Sequence, residues 1–195
     1  MKSRFNPKSL FINAITISVI FLMTLITGIA LAEKAPSKVY ELAKNTLKAY
    51  GSDPVIVKAV KEANQKNKTL QQIKELDKKW KDTPGVADYM KAIMESECGK
   101  YIISIQKSAK YYDEIFVMDN QGANVAMTDK TSDYWQGDEE KFTKSFKDGA
   151  GAIFVDEVKF DDSAQAYLVQ VSVPVMDGGN AIGAITFGIN IDHIE

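Results

Sequence analysis

Apolar positions follow two different rhythms along this chain, and the change falls near Tyr111-Tyr112. Before it, from Ser37 to about Lys110, they recur every three or four residues, which predicts helices. Val39, Tyr40, Leu42, Ala43 and Leu47 share one face of a first helix that stops at Tyr50-Gly51. Asp53-Pro54 restarts a helix, with Asp as the cap and Pro in the first helical position. "TLQQ" at 69–72 fits a capping box, and Leu70, Ile73, Leu76 and Trp80 follow at helical spacing. "DTPG" at 82–85 is turn chemistry. Beyond it Val86, Tyr89, Met90, Ile93, Met94, Tyr101, Ile102 and Ile105 predict one further helix.

After Tyr112 the period drops to two. "EIFVMD" (114–119) and "ANVAMT" (123–128) predict an antiparallel pair joined by "NQG". "DEEKFTKSFK" (138–147) predicts a short helix with acids in its first turn and Lys147 near its end. Strands are expected at 152–160, 165–175 and 181–191, with "MDGGN" (176–180) as the hairpin between the last two. On the middle one, Tyr167, Val169, Val171, Val173 and Val175 share a face, and Gln170 and Ser172 point the other way. Helices followed by five antiparallel strands make an α+β domain.

The first 32 residues have another character. Lys2, Arg4 and Lys8 precede an apolar run without charge from Leu10 to Ala32, ending in the A-x-A pattern Ala30-Leu31-Ala32. Residues 1–32 therefore read as a signal peptide, with an uncleaved membrane anchor as the rival. Residues 33–110 form the N-terminal helical segment and 111–195 the sheet. Under either reading the remainder is exported, to a periplasmic or other extracytoplasmic location.

Without the three leading cations, 21 basic residues face 26 acidic ones. A net negative domain excludes nucleic acid and anionic membrane surfaces as expected partners. Arg4 is the sole arginine. Bidentate recognition of a ligand carboxylate is thus not on offer, and lysine supplies only a point charge. Cys98 is the only cysteine and reads as a small buried hydrophobe.

Catalytic and metal motifs are weak. Ser104-Ile105-Gln106-Lys107 matches S-x-x-K but sits in an apolar helical run, without the S-D-N or K-T-G that would follow. His193 is the only histidine, the third residue from the end, with Asp192 beside it and no ligand set around it. No C-x-x-C-H attaches haem, and "DNQG" lacks the spaced acids of a calcium loop. No cofactor, no metal and no enzymatic activity are expected.

The segment that stands out is "TDKTSDYWQGDEEKF" (128–142), which places Asp133, Tyr134, Trp135 and Gln136 together ahead of an acidic cluster. Two readings compete: aromatics folded onto the core to anchor a loop, or the wall of a binding site. Aromatics beside Asp133 and Asp161 suit a cation or amino group, and Tyr, Trp and Gln also suit neutral ligands.

In order, "FVMDNQGANVAMTDKTSDYWQGDE" (116–139), "FDDSAQAYLVQVSVPV" (160–175) and "GAITFGINID" (183–192) resemble the Cache family of extracytoplasmic sensor domains, which carry a PAS-like sheet behind a long N-terminal helix. The shared pattern is strand, D-x-x-G turn, strand, D-Y-x-Q loop, then the "P-V" and "G…G" strands. This resemblance implies a ligand pocket between one face of the sheet and the loop and helix crossing it. It puts Asp133, Tyr134, Trp135 and Gln136 on the pocket wall, Phe160 and Asp161 opposite, and Tyr167 pointing in from its strand. Two departures are visible: Lys141-Phe142 stands where related domains often place an aromatic pair, and there is no arginine for a ligand carboxylate.

The expectation is an exported small-molecule-binding module whose ligand is an amine or amino acid. It would signal through a separate transmembrane receptor or transporter. The alternative is a periplasmic protein-interaction module, its pocket filled by Trp135 and Tyr167.

Overall fold

A computed structural model of the chain describes residues 33–162 and 164–194. The signal peptide or anchor expected at 1–32 lies outside the described residues. The described part belongs to one compact unit, Ala32–Glu195.

The helices form where their caps and stripes direct. α1 (Ser37–Leu42) passes through a π-helical stretch (Ala43–Leu47) into α2 (Lys48–Tyr50). α3 (Pro54–Gln65) begins with the Asp53 carboxylate accepting from Val55 N at 2.9 Å and Pro54 in its first turn, as expected. α4 (Leu70–Asp82) carries the expected capping box, with Gln72 N donating to Thr69 Oγ1 at 3.2 Å and Thr69 N to Gln72 Oε1 at 2.9 Å. The single helix expected after "DTPG" is two: α5 (Asp88–Met94) and α6 (Glu97–Gln106). Ser96 makes the break, because its Oγ accepts from Gly99 N at 3.0 Å and starts a new helix. Gly99 packs on the Ile93 and Met94 carbonyls, where a Cβ has no room. Apolar periodicity runs through such a break unaltered, so the spacing alone did not reveal it.

The sheet has the order β2-β1-β5-β4-β3, all antiparallel. Its strands are β1 (Tyr112–Met118), β2 (Asn124–Met127), β3 (Phe154–Asp161), β4 (Ala166–Asp177) and β5 (Asn180–Asn190). α7 (Glu140–Phe146) sits between β2 and β3 in the chain. β4 and β5 are joined by Gly178-Gly179 with φ of +57° and +89°. Two successive positive φ values are the signature of a type I′ turn, which suits glycine. This is the expected α+β architecture with a five-stranded PAS-like sheet.

The two faces of the sheet meet different partners. Val169, Val171, Val173 and Val175 of β4 pack with Ile185, Phe187 and Ile189 of β5 against Val39, Leu47, Ile56 and Ile102 of the helices. On the opposite face Phe116, Met118 and Ala184 lie with Trp80 and Met90, with Tyr134 from the loop and with Phe142 of α7. The alternation of β4 therefore selects which residues face each layer: valines to one side, Gln170 and Ser172 to the other.

Candidate functional site

The loop that follows β2 is shaped by two anchors. The first is the Asp119 turn, where the carboxylate accepts from Gln121 N at 2.9 Å and Ala123 N at 3.0 Å. Gly122 in that turn has φ of +82° and lies against Gly137, and its carbonyl accepts from Gln136 N at 2.8 Å. Asn124 N donates to the Tyr134 carbonyl at 3.0 Å, so residues 134–136 run back along the start of β2.

The second anchor is α4. Asp77 Oδ1 accepts from the backbone N–H of Tyr134 at 2.9 Å and of Trp135 at 3.1 Å. Its other oxygen pairs with Lys81 at 2.8 Å, and Lys81 also pairs with Asp133. Trp80 Nε1 donates to the Thr131 carbonyl at 2.8 Å, and its ring lies 5.6 Å from that of Tyr134. Burial pushes the Asp133 carboxyl up, but the Lys81 and Ser132 hydrogen bonds outweigh it and hold the group below its ordinary value.

Between this loop and the outer face of the sheet is a cavity of about 150 Å³. Its floor is Glu114 and Phe116 of β1 with Gln170 of β4; Asp161 closes one end; Thr131, Ser132 and Gln136 form the loop wall; Lys130 and Lys141 reach it from the rim. Three strands cooperate to build the floor. Glu114 and Gln170 both stand opposite Gly188 of β5, one from each side. A Cβ at Gly188 would come 2.5 Å from Glu114 Cγ, so this glycine is what lets the carboxylate lie across the sheet toward Gln170. Gln170 Nε2 then donates to Glu114 Oε1 at 3.0 Å.

The polar groups of the cavity are unequal. Burial pushes the Glu114 carboxyl up, the Gln170 bond and the Lys141 charge oppose this, and Asp161 and Asp113 reinforce it. Burial raises Asp113 in the same way, with Asp161 and Asp129 adding to it. Lys141, whose side chain is only 14% exposed, pairs with Glu139 at 3.0 Å and holds its ammonium 5.4 Å from the centre of the Phe116 ring. Gln136 donates through Nε2 to the Asp133 carbonyl at 2.8 Å. Its Oε1 is buried with no hydrogen-bond partner among the described residues. An unpaired buried acceptor costs about 1–3 kcal/mol, a cost relieved when a donor arrives.

The seven residues singled out by sequence divide. Gln136 and Asp161 meet in this cavity. Phe160 stands next door, in a hollow of about 280 Å³ that shares Asp161 and Gln170 with it. Asp133 and Trp135 face a separate shallow concavity with Lys74, Asp77 and Lys81. There the Trp135 Nε1 donates to the Gln121 carbonyl at 2.8 Å and Lys74 sits 4.7 Å over the ring. Tyr134 is buried beneath Trp80. Tyr167 continues the valine face of β4 out to the surface, 51% exposed, edge-on to Phe160 at 5.2 Å. Glu114, Gln170, Thr131, Ser132 and Lys141 line the cavity without having been singled out. The polar alternation of β4 was the available signal for Gln170; Glu114 had none, being one of two adjacent acids, with Asp113, that open an apolar run.

Replacing Gly188 with alanine tests the floor. The Cβ displaces a flexible side chain rather than backbone, so stability should change by less than about 1.5 kcal/mol. Glu114 would lose Gln170, and affinity for a cavity ligand should fall roughly tenfold, the equivalent of one hydrogen bond. Chemical denaturation and calorimetry on the same variant separate the two effects.

No family profile matches the chain, and no curated protein matches it. Solved structures to which the chain is similar include the following three. One is the sensor domain of the histidine kinase DctB of V. cholerae, with a TM-score of 0.49 and 11% identity, covering 81% of this chain and 52% of that one. Another is the sensory domain of the Campylobacter jejuni chemoreceptor Tlp3, with a TM-score of 0.41 and 16% identity over 81% of this chain and 64% of that one. The third is the ligand-binding domain of the Pseudomonas aeruginosa amino acid chemoreceptor PctC, in complex with GABA, with a TM-score of 0.37 and 12% identity over 82% of this chain and 63% of that one. The chain thus spans between 52% and 64% of the length of these proteins.

Proposed function

We propose that this chain is an exported small-molecule sensor module of the Cache type, and that its ligand is a small amine or amino acid held between the 131–136 loop and the sheet. The observation that carries this reading is that Gln136, whose buried Oε1 has no hydrogen-bond partner among the described residues, lines the same cavity as Glu114. Two acceptors, a second carboxylate at Asp161 and the Phe116 ring form a set that suits an ammonium group. Lys141 and Lys130 at the rim suit a ligand carboxylate as point charges. A volume of about 150 Å³ corresponds to roughly five waters at their liquid share of about 30 Å³ each, so the ligand is small.

The groups in the cavity accept, donate and neutralise, which supports a reading as a binding site. On this reading its signal passes through a separate partner, a transmembrane receptor or transporter. One observation favours the protein-interaction alternative: the exposed Phe160–Tyr167 pair on the edge of the sheet.

A thermal-shift screen of amino acids, amines, quaternary ammonium compounds, carboxylates, purines and sugars tests the reading. At a hundredfold excess over Kd a ligand stabilises by about 2.7 kcal/mol, a rise of several degrees. Hits confined to amines and amino acids support it. A flat panel on folded protein transfers the function to the edge pair.

A further inference from the structure

A second cavity lies on the other side of the loop. It is a cleft of about 350 Å³ at the β2 edge of the sheet, between α3 on one side and α4 and α5 on the other. α3 leans on α6 and on the sheet, which leaves its Val55-Ala59-Ala63 stripe facing the cleft. Leu76 and Ile93 form the opposite wall, and Asn124 and Val125 of β2 lie among the lining residues with Tyr134.

Asn124 is the polar group of this cleft with capacity to spare. It is 3% exposed, and its Nδ2 donates to Thr131 Oγ1 at 2.7 Å and to the Asp133 carbonyl at 3.1 Å. Both bonds commit the nitrogen to the loop. The Asn124 Oδ1 has no hydrogen-bond partner among the described residues. Asp119, also in the cleft, has its Oδ1 occupied by two of its own turn amides. Burial pushes the Cys98 thiol up to about 12, so the cleft offers no thiolate and is a site for binding rather than covalent attachment.

The rim is cationic. Lys58, Lys66, Lys68 and Lys79 stand at it against Glu62 and Glu97, and Lys58 already takes Glu97 at 2.8 Å. Lys68 donates to the Tyr134 hydroxyl at 2.8 Å.

We infer that this cleft is a second ligand site, separate from the sheet-face cavity, for a small organic acid with an apolar body and a hydroxyl or N–H donor at the end remote from its carboxylate. The donor pairs with Asn124 Oδ1, the body lies along the alanine and leucine walls, and the carboxylate meets the lysines at the mouth. The site stands independently of the sheet-face reading, because no lining residue that it uses contributes to the other cavity.

NMR of the ¹⁵N-labelled full chain, titrated with 4-hydroxyphenylacetate and with phenylacetate, decides it. The expected result is saturable shifts at Ala59, Ala63, Val125 and the Asn124 side-chain amide. Binding of the hydroxylated acid should be about tenfold tighter, since only it supplies the missing donor. Ala63→Leu fills the cleft from a half-buried helix position without touching the loop, and should abolish the shifts while leaving the rest of the spectrum in place. Absence of saturable shifts, equal affinity for the two acids, shifts confined to Glu114 and Lys141, or binding that survives in Ala63→Leu would each overturn the inference.

Discussion

Glu114→Gln should weaken binding of an amine ligand by about thirtyfold or more while making the empty protein more stable at neutral pH. The first effect follows from removing one partner of a shielded charge pair, which costs 2 kcal/mol or more. The second follows from the position of the carboxylate. Burial raises its proton affinity in the folded protein, and Asp161 and Asp113 raise it further against the opposing Gln170 bond and Lys141 charge. A carboxyl that holds its proton more tightly when folded favours the folded state at low pH. That contribution is fully present below the unfolded value of about 4.3 and is lost as pH rises through the higher folded value. At pH 7 the native protein keeps a poorly solvated charge that glutamine does not carry. The melting temperature of the variant should therefore exceed that of the native protein at pH 7, and the gap should close as pH drops toward 4. Affinity of the native protein for an amine should also fall over that acidic range, as Glu114 takes up its proton before the ligand can pair with it. Melting curves and calorimetry across pH 4 to 8 measure both. Unchanged affinity in the variant would place the ammonium group elsewhere. Functional sites often hold such groups at the expense of stability.

The contrast between what the sequence discloses and what it hides follows from range. Asp53-Pro54, Thr69-Gln72 and Gly178-Gly179 act over two to four residues, and each forms the cap or turn that its chemistry dictates. The strands are legible from alternation, and the face of Gln170 from the same alternation. The break at Ser96 is not, because an apolar stripe continues across it. Nor is the clamp on the 131–136 loop. Asp77, Trp80 and Lys81 read as core and surface of one helix, yet they grip a loop more than fifty residues further on. Tyr134 and Trp135, adjacent in sequence, diverge into the core and a surface concavity, since successive residues of an extended segment face opposite ways. Glu114 owes its place in the cavity to Gly188, a residue on another strand whose contribution is the side chain it lacks.

The same clamp yields the largest expected stability change. Asp77 is 8% exposed, and one of its oxygens accepts from two backbone N–H groups while the other holds Lys81. Asp77→Ala would leave the Tyr134 and Trp135 amides without an acceptor and Lys81 without its α4 partner. Hydrogen bonds to a charged group contribute about 1.5–3 kcal/mol each, and the half-exposed Lys81 pair adds no more than about 1 kcal/mol. Because these contacts overlap, the total should be about 3–5 kcal/mol, measured as a lowered denaturation midpoint. Asp77→Asn separates the contributions. Its carbonyl oxygen still accepts from both amides, and only the Lys81 pairing is lost. That pair is half exposed on the lysine side, so its loss should cost no more than about 1 kcal/mol. Hydrogen exchange locates the damage. In Asp77→Ala the Tyr134 and Gln136 amides should lose protection before the β4–β5 amides do, because the loop depends on α4 while the strands hold one another. A uniform loss of protection would mean that the loop and sheet unfold as one unit. A cost for Asp77→Asn equal to that of alanine would mean that the ion pair, and not the two amide bonds, holds the loop down.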